Sequence, residues 1–509
     1  MRTKVMTRIA VFAAAALGLI TASAEPTSPQ PGAYKIEETQ LMPWDGKEKA
    51  LNAALSRDGR HVAYLIRRGA KVCVIADGQP GAEYDGFRDL SLLFSPDGNH
   101  LAYVAAKSGK WLVVVDEQPG PEYDEIISYF MIFSADGKRL AYQAKKDKKW
   151  LMVVDGQPGP EYDLVDKLTL EFSPDGTRVA YAAKKGEKWF MVTDGQSGPE
   201  YDEVFGPYFS PDSKLMAYAA RKGGKWSLVV NGSAGAEYDE VDLSGRSFSA
   251  DGKHLVYGVK NDKKWFVVVD GQSDAGYDYV GGETFSPDSK HVAYTANPVN
   301  GEKWLMVVDG HTVAKYDRIG IPFFSLDSRH LAYDARMGKK WFMVIDDKPG
   351  AEYDRIGIEG AAFSPDGTRV AYSAAKGEKQ LIVVDSRPGP EYDEAMLPTF
   401  SPDSKRLGYV AENGGKWFIV LDGQPGVQYD QIGLPHFSPD SKHLTYYAND
   451  DRKWLLVVDG RPGVKYDKLQ IGQPNFLRRE TPIFSPGGVL DFFAVRDNSL
   501  YRVKYIPAP

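Results

Sequence analysis

The sequence predicts an all-β chain built as a β-propeller of about twelve four-stranded blades. Three observations carry that expectation. A turn motif returns at a near-constant interval, the apolar stretches between turns have strand length, and one stretch per repeat is apolar at every position.

The interval comes first, because self-similarity constrains the architecture more than any single residue does. A Ser-Pro-Asp-Gly or Ser-Pro-Asp-Ser turn, or a near variant, has its serine at 56, 95, 134, 173, 210, 249, 286, 325, 364, 401, 438 and 485. Successive serines lie 37 or 39 residues apart, and the last pair lies 47 apart. One unit shows the pattern: Phe133-Ser134-Ala135-Asp136-Gly137, Arg139-Leu140-Ala141-Tyr142, Lys149-Trp150-Leu151-Met152-Val153-Val154-Asp155-Gly156, then Glu161-Tyr162-Asp163. The apolar runs are too short for helices and end at Gly, Pro, Asp or Lys, which predicts short antiparallel strands joined by tight turns. The Asp-Gly pairs suit such turns because glycine tolerates a positive φ.

The third stretch is continuously apolar, as in Trp111-Leu112-Val113-Val114-Val115 and Trp454-Leu455-Leu456-Val457-Val458. A strand with one wet face would alternate, so both faces must be covered. Blades standing side by side provide this, with the recurring Trp, Tyr and Phe expected between them.

On these residues the chain resembles the TolB-like, WD-like β-propeller repeats of exported bacterial proteins. The resemblance rests on F-S-P-D-G-x-x-[LV]-A-Y followed by an apolar strand ending in Asp-Gly, and it covers nearly the whole chain after residue 32. It implies the fold and leaves function to be argued from a site. The K-W-x-x-V-V-D-G segment also resembles shorter repeats named for a Trp-Gly pair, but no glycine follows Trp here.

Two six-bladed rings are the expected arrangement, with one large ring as the alternative. The junction is expected near 272–283, where Asp274-Ala275-Gly276-Tyr277 replaces Gly-Pro-Glu-Tyr, dividing the repeats into 33–277 and 278–509. The last repeat offers three strands, and Tyr34-Lys35-Ile36 is expected to supply its fourth. That would cover an edge otherwise open to aggregation.

The N-terminus reads as a signal peptide over 1–24. Arg2, Lys4 and Arg8 precede an apolar stretch from Ile9 to Ile20, and Ala22-Ser23-Ala24 forms an A-x-A cleavage site. The stretch is short for a membrane span. Residues 25–32 read as a linker. The expectation is a periplasmic or secreted monomer with no membrane span in the mature chain. The single cysteine, Cys73, permits no internal disulfide and sits in an apolar run, as a small buried hydrophobe would.

A net charge of −7 speaks against a nucleic-acid partner. No G-x-S-x-G, P-loop, C-x-x-C or H-E-x-x-H motif occurs, and no run of closely spaced oxygen ligands suggests calcium. No catalytic residue, metal or cofactor is therefore assigned. His61, His100, His254, His291, His330 and His443 share one repeat position, which reads as surface consensus; His311 and His436 stand outside it. Three first-strand residues, Glu171, Tyr208 and His436, are candidates for an axial ligand.

The loops between second and third strands are rich in Lys and Arg. Arg67, Arg68, Lys107, Lys110, Lys145, Lys148, Lys184, Lys185, Arg221, Lys222 and Lys225 are candidates for binding a protein or an anionic envelope polymer. Acidic turns are expected at the opposite end of each blade. The functional expectation is an exported, non-enzymatic scaffold for protein or ligand binding. The rival is a lactonase-, lyase- or hydrolase-like enzyme with its site on the propeller axis.

Overall fold

The computed structural model describes residues 34–43, 52–166, 168–243, 248–298, 303–470, 484–485 and 488–507. The leader and linker over 1–32 lie outside the described residues. Those described form twelve antiparallel sheets and no helix. In blade 3 the strands are Glu125–Phe133, Leu140–Lys146, Lys149–Val154 and Gln157–Pro158, hydrogen-bonded in chain order. First strands of neighbouring blades approach each other, which places them innermost.

The turn motif explains its own recurrence. The Ser134 hydroxyl donates to Asp136 Oδ1 (2.6 Å), and Ser134 Oγ accepts the Arg139 N–H (3.0 Å). Asp136 Oδ1 also accepts the Lys138 N–H (3.2 Å), and Gly137 takes the positive φ that closes the turn. Asp155, at the end of the third strand, accepts the Leu140 N–H (2.9 Å). The motif's polar side chains satisfy backbone groups that a tight turn would leave unpaired.

The core lies between blades. Leu140, Tyr142 and Ala144 project from blade 3 toward Ala102, Val104 and Val113 of blade 2. Ala141 and Met152 project the other way, toward Phe172, Val179 and Tyr181 of blade 4. Alternation along Leu-Ala-Tyr-x-Ala thus gives each blade one bulky face and one small-residue face, and the two interlock at close-packed density. The anchors are the second-strand tyrosines, with Tyr142 only 2% exposed. The third-strand tryptophans, expected to be hidden between blades, are half-buried at the hairpin end, where Lys145 Nζ lies 5.2 Å from the Trp150 ring centre.

The twelve blades make one ring, and the expected pair of six-bladed rings is not formed. Blades 6 and 7 meet in the same kind of interface as the others, with Val256 and Val267 against Tyr277, Val280 and Tyr294. The proposed boundary at 277/278 therefore falls inside a packed cluster. The irregular Asp274 is absorbed there, since it accepts the Tyr294 phenol proton. Blade 12 closes on blade 1 through Phe493, Val495 and Leu500 against Ala53, Leu55 and Val62.

The strand Tyr34–Pro43 is the outermost strand of blade 12 and pairs antiparallel with Ser499–Pro507. Glu38 holds it in place, accepting bonds from Arg496 on both carboxylate oxygens (3.0 and 2.8 Å) and from the Tyr466 hydroxyl. Among the described residues no helix is long and apolar enough to cross a membrane.

Candidate functional site

Four antiparallel strands put the second-to-third hairpin and the blade-to-blade connection at one end of each blade, and the other two turns at the opposite end. The basic hairpins and the Tyr-Asp connections consequently share a face. Lys110 pairs with Asp124, Lys149 with Asp163, and Lys225 with Asp239 (2.7 Å). The second oxygen of each aspartate accepts a backbone N–H from the next blade's hairpin: Asp147 on Asp124 (2.9 Å), Gly186 on Asp163 (2.7 Å), Asp262 on Asp239 (3.0 Å). The lysine and then the backbone donor hold Asp124 and Asp163 below the usual carboxylate range. Basic and acidic ends are thus not segregated as the sequence suggested, because strand alternation carries the Tyr-Asp acids back to the lysines.

The basic candidates divide accordingly. Lys110 and Lys225 are paired; Lys145, Lys184 and Arg221 cap the rings of Trp150, Trp189 and Trp226; Arg68 approaches Glu83 (3.7 Å). Arg67, Lys107, Lys148, Lys185 and Lys222 are exposed on the hairpins. The six periodic histidines sit at the other end, each with Nδ1 2.6–2.7 Å from the aspartate that ends its third strand, as His61 from Asp77. Arg139, Arg369 and Arg406 make the same link where histidine is absent.

The inner wall is built from first strands. Facing sheets pack about 10 Å apart, so twelve stand on a circle roughly 40 Å across. Glu171 of blade 4 and His436 of blade 11 are five blades apart by the shorter way round and do not converge. Glu171 and Tyr208 are neighbours. Burial pushes the Glu171 carboxyl up to about 7, against a hydrogen bond from the Phe209 N–H, and the Tyr208 phenol is raised by burial and then by Glu171 and Asp242. His436 is held below the usual imidazole range by burial, and its enclosed Nε2 has no hydrogen-bond partner among the described residues.

Four further groups were not singled out from the sequence. Asp242 of blade 6 and Glu283 of blade 7 flank Gly258: Glu283 Oε1 is 3.3 Å, and the Asp242 Cβ 3.6 Å, from where a Gly258 Cβ would be. Burial first, then Asp242, raises Glu283. Tyr279 stands beside them, half-exposed, its ring 5.3 Å from that of Trp304. Asp334 of blade 8 is only 3% exposed, and burial pushes its carboxyl up to about 6. The available signals were the Gly281-Gly282 pair and Asp334, the one acid at a second-strand position held by Val104, Gln143, Ala182, Gly258 and Ser373 in other blades.

Several first-strand segments carry exposed large apolar side chains. Among the described residues they are Tyr129, Leu164, Leu168, Phe205, Tyr208, Tyr279 and Ile321, all in blades 3–8. Among the described residues, no group of three or more His, Cys, Asp or Glu side chains is placed to hold a metal ion.

No family model matches the chain, and no curated protein sequence does. Similar solved structures include a eukaryotic initiation factor, at 12% identity over 73% of this chain and 99% of that one, with a TM-score of 0.36. TolB from Acinetobacter baumannii matches at 11% identity over 66% and 78%, with a TM-score of 0.24. A Dos1 propeller matches at 6% over 66% and 90%, with a TM-score of 0.27. At these values the likeness carries no argument about what the chain binds or does.

Proposed function

We propose that the chain is an exported, non-enzymatic propeller of the TolB-like repeat type, acting as a scaffold that holds a ligand or partner on the inner wall of blades 3–8. The supporting observation is that, among the described residues, the exposed large apolar side chains of the first-strand segments run from Tyr129 to Ile321, within blades 3–8. An uncovered apolar patch on a folded protein marks an interaction surface. The charged leader, apolar stretch and A-x-A site over 1–24 support export to the periplasm or beyond. The hairpin lysines Lys107, Lys148, Lys185 and Lys222 offer a second, salt-sensitive contact for a protein or an anionic envelope polymer.

The test is capture from envelope extract with the mature chain and with a Tyr208→Ala/Tyr279→Ala variant, at low and raised salt. The scaffold reading expects a partner retained by the mature chain and lost by the variant. Equal retention by both, or none by either, counts against it.

The enzyme reading is favoured by Glu171, a carboxyl that titrates near neutrality beside the Tyr208 phenol, as a general acid–base would. Turnover of an ester or lactone panel that disappears in Glu171→Gln would establish it over the scaffold.

A further inference from the structure

The inner wall of blades 4–8 interleaves rings with carboxyls. Going round the ring, the side chains are Glu171, Tyr208, Asp242, then Tyr279 with Glu283. Glycines shape the space between them. Gly258 leaves room for Glu283, and Gly281 leaves room for the Tyr279 phenol, whose oxygen is 2.6 Å from where a Gly281 Cβ would be. At positions equivalent to Gly258, blades 3, 8 and 9 place Gln143, Asp334 and Ser373, side chains that would fill the recess. Asp242 acts electrostatically on Tyr208, Tyr279 and Glu283 alike, which puts its carboxyl at the middle of the group.

A second observation lies at the blade 8 end. Asp334 is 3% exposed, its Oδ1 has no hydrogen-bond partner among the described residues, and it occupies the space over Gly320. Next to Gly320, Ile321 and Pro322 pack on Gly282 of blade 7, each 3.2–3.3 Å from where its Cβ would be. An unsatisfied carboxyl oxygen thus lies beside the Gly320–Pro322 segment, whose Ile321 and Pro322 pack on blade 7.

We propose that this wall binds organic ammonium groups carried on an aliphatic chain, with the charges on Asp242, Glu283 and Glu171 and the methylenes across Tyr208 and Tyr279. Carboxylates supply the opposite charge, and the faces of the two exposed phenols attract cations and cover methylenes. Glu171 stands two blades from Asp242, with the Tyr208 ring between, while Asp242 and Glu283 meet above Gly258, so the spacing suits charges strung along a chain and not one compact ion. The elevated Glu171 and Glu283 carboxyls fit a site in which a cation restores the ionised form. A polyamine and a lysine-bearing peptide share this chemistry.

The proposal rests on the scaffold reading and specifies its ligand. Its test is calorimetric titration of the mature chain at low salt with spermine and, separately, with tetralysine; tetraglutamate and a neutral maltotetraose serve as comparators. Binding of at least one ammonium probe is expected, weakened at least tenfold in Asp242→Asn/Glu283→Gln. Tyr279→Phe should bind as wild type, while Tyr279→Ala weakens binding about as much as the acid variant. A preference for spermine assigns the site to polyamines, and a preference for tetralysine assigns it to peptides. Should the acid variant not fold, Tyr208→Ala, which alters a half-exposed ring, must reproduce the loss. No binding of either probe, equal affinity in the folded variants, or tighter binding of maltotetraose overturns the proposal. If partner capture from extract stays intact while ammonium binding is absent, the scaffold reading stands and this inference alone falls.

Discussion

Glu38 is where the first described strand is fastened to the last blade, and replacing it with alanine tests that fastening. The substitution removes both acceptor oxygens for Arg496 and the acceptor for the Tyr466 hydroxyl. Tyr466 is fully buried, so its hydroxyl would be left without a partner, at a cost of about 1–3 kcal/mol. The Arg496–Glu38 pair is partly exposed (28% and 24%), so its own contribution is about 0–1 kcal/mol. The sum is about 1–4 kcal/mol, concentrated on the pairing of 34–43 with 499–507. Since 1.4 kcal/mol is tenfold, amide hydrogen exchange within 35–42 should speed up roughly 5- to 700-fold, with blades 3–10 unaffected. A double-mutant cycle with Tyr466→Phe isolates the hydroxyl, because that variant has no buried donor to strand. Exchange in 35–42 within threefold of wild type would refute the reasoning, as would an acceleration spread evenly round the ring.

Other expectations follow from the same geometry. Tyr142→Ala should lower stability by about 3–5 kcal/mol, more than twice the loss from Trp150→Ala, as read from urea midpoints, because Tyr142 fills the interface while Trp150 lies at its edge. Asp58, Asp175, Asp288 and Asp366 are held at about 2 by the turn serine's hydroxyl and turn N–H groups, with burial opposing, as it does most strongly at Asp58. Their folded values lie below the unfolded ones, so this stabilisation is present above about pH 4 and lost as pH falls toward 2. A melting temperature flat across that window would exclude the turn network as its source. Glu171 is shifted the other way: raised to about 7 by burial, it binds its proton more tightly folded than unfolded, so its stabilising contribution is full below about pH 4 and lost as pH rises to 7. Glu171→Gln should therefore gain stability relative to wild type at pH 8, by about 3 kcal/mol, and gain little at pH 4; an equal gain at both values would point to packing instead.

Much of the fold is legible in single residues. Ser134, Asp136 and Asp155 recur because each satisfies backbone groups within a few residues of itself, and such local chemistry leaves a periodic trace. Site residues leave a weaker trace, because they are departures from the period. Glu171 and Tyr208 were visible as polar first-strand residues. Asp242 and Glu283 were not, because their meeting above Gly258 joins two blades 41 positions apart in sequence. The lysine hairpins were read correctly as hairpins, but their charge was misjudged because Asp124 and Asp163 return to them from the outer strand.

The sequence by itself determined the four-stranded unit, the number of its copies and the turns that delimit them, since those depend on contacts within about forty residues. The tertiary structure alone decided that the copies close as one ring, and which side chains share an end or a wall. Ring size is set by a small rotation at each interface, about 30° for twelve blades against about 60° for six. That angle comes from how Tyr and Leu on one blade seat against Ala and Val on the next, a matter of shape across the interface that no single repeat displays.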